Sequence, residues 1–476
     1  MLDEAHSALL REDCRRRKVR VRPYSESVRA FVLLAVFLVV AACAPARNET
    51  DAAAQNPCDV GQYWTRYYNN TDHAGSAVLA RCEYSVGGNF TGSPAPGVQA
   101  DGFSADATGS LRFPVTGQYQ IASMSGGVVA RVWLDGELIF DHADTRDWGT
   151  DLATRTIEAG VHAVRVSYAG ASGPAVQEFS VSQVALGPAS GNGNYFVANS
   201  FLNQPLPPSP AVDPRSTNWV AALMHHPDVK AIDVNEDIWT TAVYHAPAGT
   251  PTRTVAVRNS GKSIDIPYLP HYLPTQDADA HIAIIDDTTG CEYEFQSFKP
   301  DAMSAIAQAT YRVNTGSGGH VSGPAHSGGE LSYLAGLITP EDVQAGVIDH
   351  ALRFAIPINA PTYVYPGTRS DGTVLDGVPE GIRIQLDPAL DLRTLNLSPF
   401  QRMVATALQK YGAFDADVAK TFSLTARSVI DGTRYPTRVD DLPRELIGHL
   451  RFLTPSISST DIQLDTAADQ GCRQQH

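Results

Sequence analysis

The residues best suited to chemistry lie between positions 320 and 354, in the stretch HVSGPAHSGGELSYLAGLITPEDVQAGVIDHALRF. His320 and His326 are six residues apart in a glycine-rich segment, and Glu330 follows at its end. Imidazoles beside a carboxylate can transfer protons or bind a metal ion, and a glycine-rich loop lets backbone approach a ligand. The spacing matches no standard zinc motif. An exposed glycine loop with incidental histidines explains the pattern equally well.

His350 lies in VIDHALRFAI, residues 347–356, where apolar residues alternate as they do in a strand. The alternation predicts one face that carries His350 with the apolar residues, and an opposite face with Asp349 and Arg353. A histidine on an apolar face is usually a core residue. The catalytic alternative places His350 on the floor of a cleft as a general acid or base. The predicted catalytic set is therefore His320, His326, Glu330 and His350.

A second pair of acidic residues, Glu292 and Glu294, lies in the strand pattern CEYEFQSF. Residues two apart on a strand are roughly 6.5 to 7 Å apart, a carboxylate separation found in inverting glycosidases. Ordinary alternation predicts the same pattern, with both carboxylates facing solvent. We expect the second arrangement.

The N-terminal residues carry an export signal. The basic segment RRRKVRVRP precedes AFVLLAVFLVVAA, Ala30 to Ala42, which is short for a membrane-spanning helix. VAAC at residues 40–43 resembles the lipobox of bacterial lipoproteins, which makes Cys43 the lipidated residue; an uncleaved signal anchor is the alternative. Ala44 after the cysteine resembles the pattern of outer-membrane lipoproteins. We expect a bacterial outer-membrane or cell-surface protein, held to the membrane by lipid.

Charge and cysteine content fit an exported protein. The 476-residue chain has a formal net charge of −15, which disfavours nucleic acid as a partner. Beyond Cys43 lie four cysteines, an even number that allows Cys58 to pair with Cys82 and Cys291 with Cys472 in an oxidising compartment. Buried free thiols are the alternative.

Turn residues and short alternating segments predict a mainly β protein with two modules. Asp135-Gly136 is a hairpin turn signal between two of the strands. The predicted N-terminal divisions are a signal peptide with its lipidation site (1–43), a tether (44–57) and a β-sandwich (58–188). A linker that begins the second module (189–214), a β-rich domain with a few helices (197–456) and a tail (457–476) follow. A jelly roll is one candidate fold for the β-rich domain.

Four segments of the first module occur in a characteristic order: YWTRYYNNTDHAG, SPAPGVQADGFSADATGSLRFPVTGQYQI, RVWLDGELIFD and EAGVHAVRVSYAGASGPA. In this order they resemble the PA14 domain, a β-sandwich found beside glycosidases, adhesins and toxins. Lectin-like members bind calcium through two adjacent aspartates, where this chain has Ser125, Gly126 and Gly127. Calcium is a possible cofactor, but the aspartate pair that the resemblance leads us to expect is missing here. Other oxygen ligands are available, although turn formation explains them as well: Asp101, Asp106 and Asp135.

The second module contains two helix signals, one that begins at Thr339 and one with Ser398 as N-cap and Gly412 at its end. Segments such as AHSGGELSYLAGLI, VPEGIRIQLDPALDL and ALQKYGAFDAD resemble a group of exported bacterial proteins, a likeness that transfers no catalytic residue. The leading hypothesis is a lipid-anchored protein that binds a polysaccharide or cell-surface glycan and is a candidate hydrolase or lyase. The alternative is a non-enzymatic adhesion or envelope scaffold protein.

Overall fold

The computed structural model describes residues 57–146, 148–170, 173–183, 195–319, 326–455 and 472. Strands dominate these residues, so the prediction of a mainly β protein is confirmed. Cys43, the predicted signal segment and His320 lie outside the described residues. Within the described part of the chain, no helix combines the length and the apolar character needed to cross a membrane.

The first module, residues 57–183, is a sandwich of two antiparallel sheets with an aromatic and aliphatic core between them. The six-stranded sheet has the order β2-β1-β4-β9-β6-β7, and the four-stranded sheet has the order β3-β10-β5-β8. The strands are β1 (Tyr63–Tyr68), β2 (Leu79–Glu83), β3 (Gly87–Phe90), β4 (Phe103–Phe113), β5 (Gly117–Gly126), β6 (Val128–Leu134), β7 (Glu137–His142), β8 (Gly149–Ile157), β9 (Gly160–Gly170) and β10 (Ala175–Gln183).

Alternation along the strands orients this sandwich. In β9, Val164 and Val166 point into the core, whereas Arg165 points outward. The predicted hairpin is present, because β6 and β7 are joined by Asp135 and Gly136 with φ of 49° and 80°, the left-handed values that such a tight turn requires.

The second module, residues 195–455, contains four sheets. Their orders are β11-β24-β19-β23-β22-β25, β12-β15-β16-β18, β14-β13-β17 and β20-β21. The strands are β11 (Asp233–Asn235), β12 (Ala242–Ala246), β13 (Thr252–Val257), β14 (Lys262–Pro267), β15 (Ile282–Asp286), β16 (Cys291–Gln296), β17 (Ser304–Ala305), β18 (Ala307–Arg312), β19 (Leu352–Ile356), β20 (Asn359–Tyr363), β21 (Val378–Glu380), β22 (Arg383–Leu386), β23 (Ala413–Val418), β24 (Ser423–Thr425) and β25 (Leu450–Phe452).

This arrangement differs from a jelly roll, whose strands are all antiparallel. Parallel pairs join β11 to β24, β12 to β15 and β19 to β23. The partner strands are joined by long connections, and those from β11 to β24 and from β19 to β23 contain helices, which allows parallel pairing. The β-rich prediction holds, but a jelly roll does not describe the topology.

Three α-helices lie in the described part of this module: α1 (Ser216–His225), α2 (Pro340–Ala345) and α3 (Pro399–Lys410). The two predicted helices begin after the expected residues, Thr339 and Ser398, each of which forms a capping box and is followed by proline at the first helical position. Tyr411 is the C-cap of α3, and Gly412 follows with φ of 70°. The sequence reasoning missed α1, whose N-cap, Arg215, makes no side-chain capping hydrogen bond.

The two modules are packed against each other. The Tyr363 hydroxyl donates to the Phe179 carbonyl (3.0 Å) and accepts from the Phe179 N–H (2.9 Å), and the Tyr365 hydroxyl donates to the same carbonyl (2.8 Å). Ala122 of β5 also belongs to a core cluster made otherwise of second-module residues. The second module therefore covers part of the face of the four-stranded sheet that points away from the sandwich core, whereas outward side chains of the edge strand β8, such as Leu152, stay exposed.

Disulfide bonds join Cys58 to Cys82 and Cys291 to Cys472, the pairing that the even cysteine count allowed. The first bond connects the residue just before the sandwich to β2. The second attaches the end of the chain to the first residue of β16. Both bonds restrict the unfolded chain and so stabilise the fold.

Candidate functional site

The stretch His326–Glu330, here called the HSGGE loop, is anchored to the strands around it. The Gly329 N–H donates to the Ala416 carbonyl (2.9 Å) in β23, and the Tyr333 hydroxyl donates to the His326 carbonyl (2.9 Å). Glu330 has φ of 61°, a left-handed conformation that is uncommon outside glycine and recurs at functional sites. The loop is therefore held in one conformation.

His326 and Glu330 do come together, as part of a buried triad with Glu294. His326 Nε2 is 2.8 Å from Glu294 Oε2, and His326 Nδ1 is 3.1 Å from Glu330 Oε1; all three side chains are shielded from solvent. Burial opposes a charged imidazole, but the Glu330 carboxylate and hydrogen bonds to both glutamates outweigh it and raise the pKa of His326 to about 9. At neutral pH the ring is an imidazolium whose two N–H groups are both used.

Glu292 and Glu294 do not face solvent, so the expectation from simple alternation is wrong. Both are buried in β16, a central strand between β15 and β18. The HSGGE loop and Ser332 cover the face on which these carboxylates lie. Ser332 Oγ donates to Glu294 Oε1 (2.7 Å) and lies 3.2 Å from Glu292 Oε2, which gives both carboxylates polar partners inside the protein.

A second group of carboxyls, here called the acidic cluster, lies on the other side of the HSGGE loop: Asp371, Glu380, Asp415 and Asp417. A methyl group added at Gly328 would lie 2.4 Å from Glu380 Oε2, 2.9 Å from Asp417 Oδ1 and 3.0 Å from Asp371 Oδ1. Oxygen atoms of three carboxyls therefore surround one point against the Gly328 backbone. Only a glycine leaves room for them.

The acidic cluster extends from the surface inward. Asp371 is exposed and Asp417 partly exposed, whereas Glu380 and Asp415 are inaccessible to solvent. Asp415 Oδ2 accepts from Asn359 Nδ2 (2.7 Å), and Glu380 Oε1 accepts from Ser370 Oγ (3.1 Å). Glu380 Oε2 has no hydrogen-bond partner among the described residues. This buried oxygen faces the point where the carboxyls meet.

Three carboxyls of the acidic cluster have raised pKa values, so they keep their protons to higher pH than free carboxyls do. Burial, reinforced by Asp371, raises the pKa of Asp417 to about 7. Burial and the neighbouring carboxyls also raise the pKa of Glu380 and of Asp415 well above their usual ranges. The cluster thus places Asp417, which titrates near neutral pH, beside two carboxyls whose pKa values are raised, and such an arrangement suits acid–base chemistry.

Arg369 connects the loop to the first module. Its guanidinium donates to the Ser327 carbonyl (2.5 Å) and the Gly328 carbonyl (3.3 Å), and it lies 4.0 Å from the Glu178 carboxylate in β10. Burial, partly offset by Arg369, raises the pKa of Glu178 to about 8. A side chain of the first module thus contributes to the surroundings of the HSGGE loop.

His350 has partners of its own. His350 Nε2 lies 3.4 Å from Asp342 Oδ2 at the start of α2, and His350 Nδ1 lies 2.9 Å from the Ala351 carbonyl. The residue is buried and precedes β19, which begins at Leu352.

Arg353 is buried too, although the alternation predicted it on a polar face, because β19 is a central strand covered on both sides. Its guanidinium donates to the Ser332 carbonyl (3.0 Å). A role for His320 stays a prediction.

The three aspartates considered as calcium ligands have separate partners. Asp101 Oδ1 accepts from the Gly173 N–H (2.8 Å), and Asp135 Oδ2 is 2.6 Å from His162 Nδ1. Asp106 forms ion pairs with Arg66 and Arg165. Across the described residues, no group of three or more His, Cys, Asp or Glu is arranged to hold a metal ion.

Sequence reasoning missed most of the residues around the HSGGE loop, including Glu178, Arg369, Asp371 and Glu380. Asp415 and Asp417 carried a weak signal, since charged residues in an apolar strand pattern need partners once buried. The others lie in short polar segments such as GTRSDG and VPEG, which are typical of ordinary turns. Their convergence depends on contacts between segments distant in the chain.

Comparison with known proteins identifies the first module. Residues 60–189 match the family model described as the PA14 domain. This part of the chain is a PA14 domain. A search of curated proteins returned no match.

Solved structures resemble parts of the chain. The anti-sigma factor domain-containing protein from Clostridium clariflavum is 24% identical, with a TM-score of 0.24, and the match covers 26% of this chain and 42% of that one. The PA14 sugar-binding domain from RTX adhesin is 14% identical, with a TM-score of 0.21 and coverage of 26% and 90%. The chain thus spans less than half of the anti-sigma relative. At these scores, the likenesses add nothing to the family-model match.

Proposed function

We propose that this protein is an exported, lipid-anchored glycan-binding protein whose PA14 domain recognises a polysaccharide or cell-surface glycan. The observation that carries this proposal is the match of residues 60–189 to the PA14 family, a domain that occurs beside glycosidases and adhesins. Binding to immobilised polysaccharides tests it directly. Retention of the purified protein on a polysaccharide, with release by the soluble form of the same glycan, is expected, and failure to bind any member of a broad panel would refute it.

The lipid anchor is a separate part of the proposal and has a separate test. It rests on the basic segment, the apolar residues 30–42 and the VAAC sequence that ends at Cys43. In a bacterial host we expect the protein to incorporate radiolabelled palmitate and to partition into detergent. The Cys43→Ser variant should lose both properties, whereas a Cys14→Ser control should keep them. Palmitate incorporation by Cys43→Ser would exclude this anchor.

A hydrolytic activity in the second module is the second candidate function. Its support is the convergence of Glu380 Oε2, Asp417 Oδ1 and Asp371 Oδ1 beside Gly328. A protonated carboxyl can donate its proton to the leaving oxygen of a glycosidic bond, while a second carboxylate activates water or attacks the sugar. The buried His326 triad, whose ring nitrogens are both occupied, would then hold the loop in place and would not touch substrate.

Product release from polysaccharides distinguishes this candidate from a purely binding or scaffold protein. If the acidic cluster is catalytic, Asp417→Asn, which changes the partly exposed carboxyl of the cluster, should abolish release of oligosaccharides without weakening glycan retention. Asp391→Asn, which changes an exposed carboxylate in an ion pair with Arg393, serves as a control that should retain activity. Retention of glycan without product from any substrate would favour the non-enzymatic alternative.

A further inference from the structure

The outer face of the six-stranded PA14 sheet carries a row of polar side chains in register across five strands. Strand pairing places these residues directly opposite one another, and all point away from the sandwich core. In the order β1, β4, β9, β6 and β7, the row is Arg66, Asp106, Ser167, Arg131 and Asp141. Basic, acidic and hydroxyl groups thus follow one another along a line perpendicular to the strands.

The adjacent row on the same face begins and ends with a tryptophan. Trp64, Thr108, Arg165 and Trp133 are consecutive cross-strand neighbours. The Arg165 guanidinium lies 4.9 Å from the centre of the Trp133 ring and 2.7 Å from Asp106 Oδ1. A rigid aromatic ring beside fixed donors and acceptors is an arrangement that suits ligands with both apolar and hydroxyl-bearing faces.

A groove with a cavity volume of about 560 Å³ opens over this face. Its floor includes Arg131, Trp133, Arg165 and Ser167, and its walls include the segment Thr71–His73 and Asp141. The volume lies within the range of small-ligand sites. The sheet residues that line the groove lie on three neighbouring strands, β9, β6 and β7. Because neighbouring strands are about 4.8 Å apart, the groove extends roughly 10 Å across them.

Two local irregularities shape the groove. A register shift between Val132 and Trp133 in the β6–β7 pair marks a bulge at the tryptophan, and bulges commonly redirect side chains next to binding sites. His73 has φ of 59°, and its Nε2 lies 3.2 Å from Ser167 Oγ and 3.1 Å from the Ala105 carbonyl. This contact holds the wall segment against the sheet.

Each arginine in the groove is paired with an aspartate. Arg131 is paired with Asp141 at 2.8 Å, and Arg165 is paired with Asp106. An acidic sugar would have to compete with these carboxylates for each guanidinium. A neutral sugar would instead bridge the existing pairs, since each hydroxyl donates to a carboxylate and accepts from a guanidinium.

We propose that this groove is a calcium-independent binding site for a neutral oligosaccharide, which stacks one ring on Trp133 and bonds its hydroxyls to the Arg131–Asp141 pair and to Arg165. The inference rests on the proposed function, because it assigns the glycan class and the binding face to the PA14 domain. It goes further in excluding acidic glycans as the preferred ligand.

The test measures affinity of the full-length protein for neutral polysaccharides (xyloglucan, glucomannan and galactan) and acidic ones (alginate and polygalacturonate), by affinity electrophoresis with and without EDTA. Trp133→Ala should weaken binding to the neutral ligand about tenfold. Trp148→Ala, which removes an exposed tryptophan outside this groove, is the matched control and should bind as the wild type does. Arg131→Met provides a second variant if Trp133→Ala is unstable, as judged by urea unfolding.

Each outcome has a distinct meaning. Loss of neutral-glycan binding in Trp133→Ala or Arg131→Met, but not in Trp148→Ala, with no effect of EDTA, supports the site. Unchanged binding in Trp133→Ala and Arg131→Met overturns the site but leaves the proposed function standing. Preference for acidic glycans, or loss of binding in EDTA, overturns the ligand class or the calcium independence. A wild-type protein that binds no glycan refutes the proposed function itself.

Discussion

The Arg369 guanidinium lies 4.0 Å from the Glu178 carboxylate, so a buried cation of the second module faces a buried carboxylate of the PA14 domain. The same guanidinium donates to two carbonyls of the HSGGE loop. One side chain thus links the domain interface to the loop that separates the His326 triad from the acidic cluster. The domain interface and the candidate site therefore share this side chain.

Replacing Arg369 should destabilise the protein strongly. Arg369→Met leaves two buried loop carbonyls without their charged donor, and we expect a loss of about 2–4 kcal/mol in the free energy of unfolding. Urea unfolding of the full chain measures it. Arg393→Met removes the exposed pair with Asp391 and should cost less than about 0.5 kcal/mol. Equal losses in the two variants would contradict a special role for Arg369.

The two interface tyrosines should differ in their contributions. Tyr363→Phe leaves the buried Phe179 N–H without an acceptor, and we expect destabilisation by about 1–3 kcal/mol. Tyr365→Phe removes a donor to a carbonyl that Tyr363 still serves, so its cost should be about 1 kcal/mol. Thermal or urea unfolding of both variants compares them. A larger loss in Tyr365→Phe than in Tyr363→Phe would count against this assignment.

The His326 triad should make stability depend on pH. An unfolded histidine titrates near pH 6.5, and the folded pKa is about 9, so the stabilisation is present in full below pH 6.5 and is lost as pH rises to 9. We expect the free energy of unfolding to fall by roughly 3 kcal/mol over this interval. Urea titrations at several pH values measure it. His326→Gln should make the fall in this window smaller, and the part that remains is due to Glu178 and Asp417, whose pKa values of about 8 and about 7 are raised in the folded protein. His225→Gln, an exposed control, should leave the curve as in the wild type.

Gly328→Ala should disturb the acidic cluster. The added methyl group would meet Glu380 Oε2 at 2.4 Å, and we expect a loss of about 1–3 kcal/mol in the free energy of unfolding. Gly92→Ala, where no atom lies within 4 Å of the added carbon, is the control and should be nearly neutral. In a Glu380→Ala background the cost of Gly328→Ala should shrink. An undiminished cost there would mean that the contact with Glu380 is not its cause.

Local signals in the sequence predicted local structure well. The alternation in β9, the Asp135-Gly136 hairpin and the capping signals at Thr339 and Ser398 all depend on neighbouring residues, and each appears in the structure. The helix Ser216–His225 lacked a capping side chain and was missed. The type of an element, helix or strand, could therefore be predicted from neighbouring residues where a turn or cap residue marks its boundary.

Long-range burial was much harder to predict. Glu292 and Glu294 alternate as a solvent-facing pair would, yet the HSGGE loop, more than thirty residues away, covers them. The loop itself was singled out as the best candidate site, but the carboxyls of Glu380 and Asp417 come from separate strands of two sheets. No spacing within one segment encodes that convergence, since it arises only when the sheets pack.

The hydrogen bonds between Tyr363, Tyr365 and the Phe179 backbone bear on how this protein can be recombined. A β-sandwich that contacted its neighbour only through a linker could be exchanged by itself. Here two tyrosine hydroxyls of the neighbouring module make hydrogen bonds to the backbone of β10. A chimaera that exchanges either partner alone would leave buried amide and hydroxyl groups without their complements, so the unit that can be grafted intact is the pair.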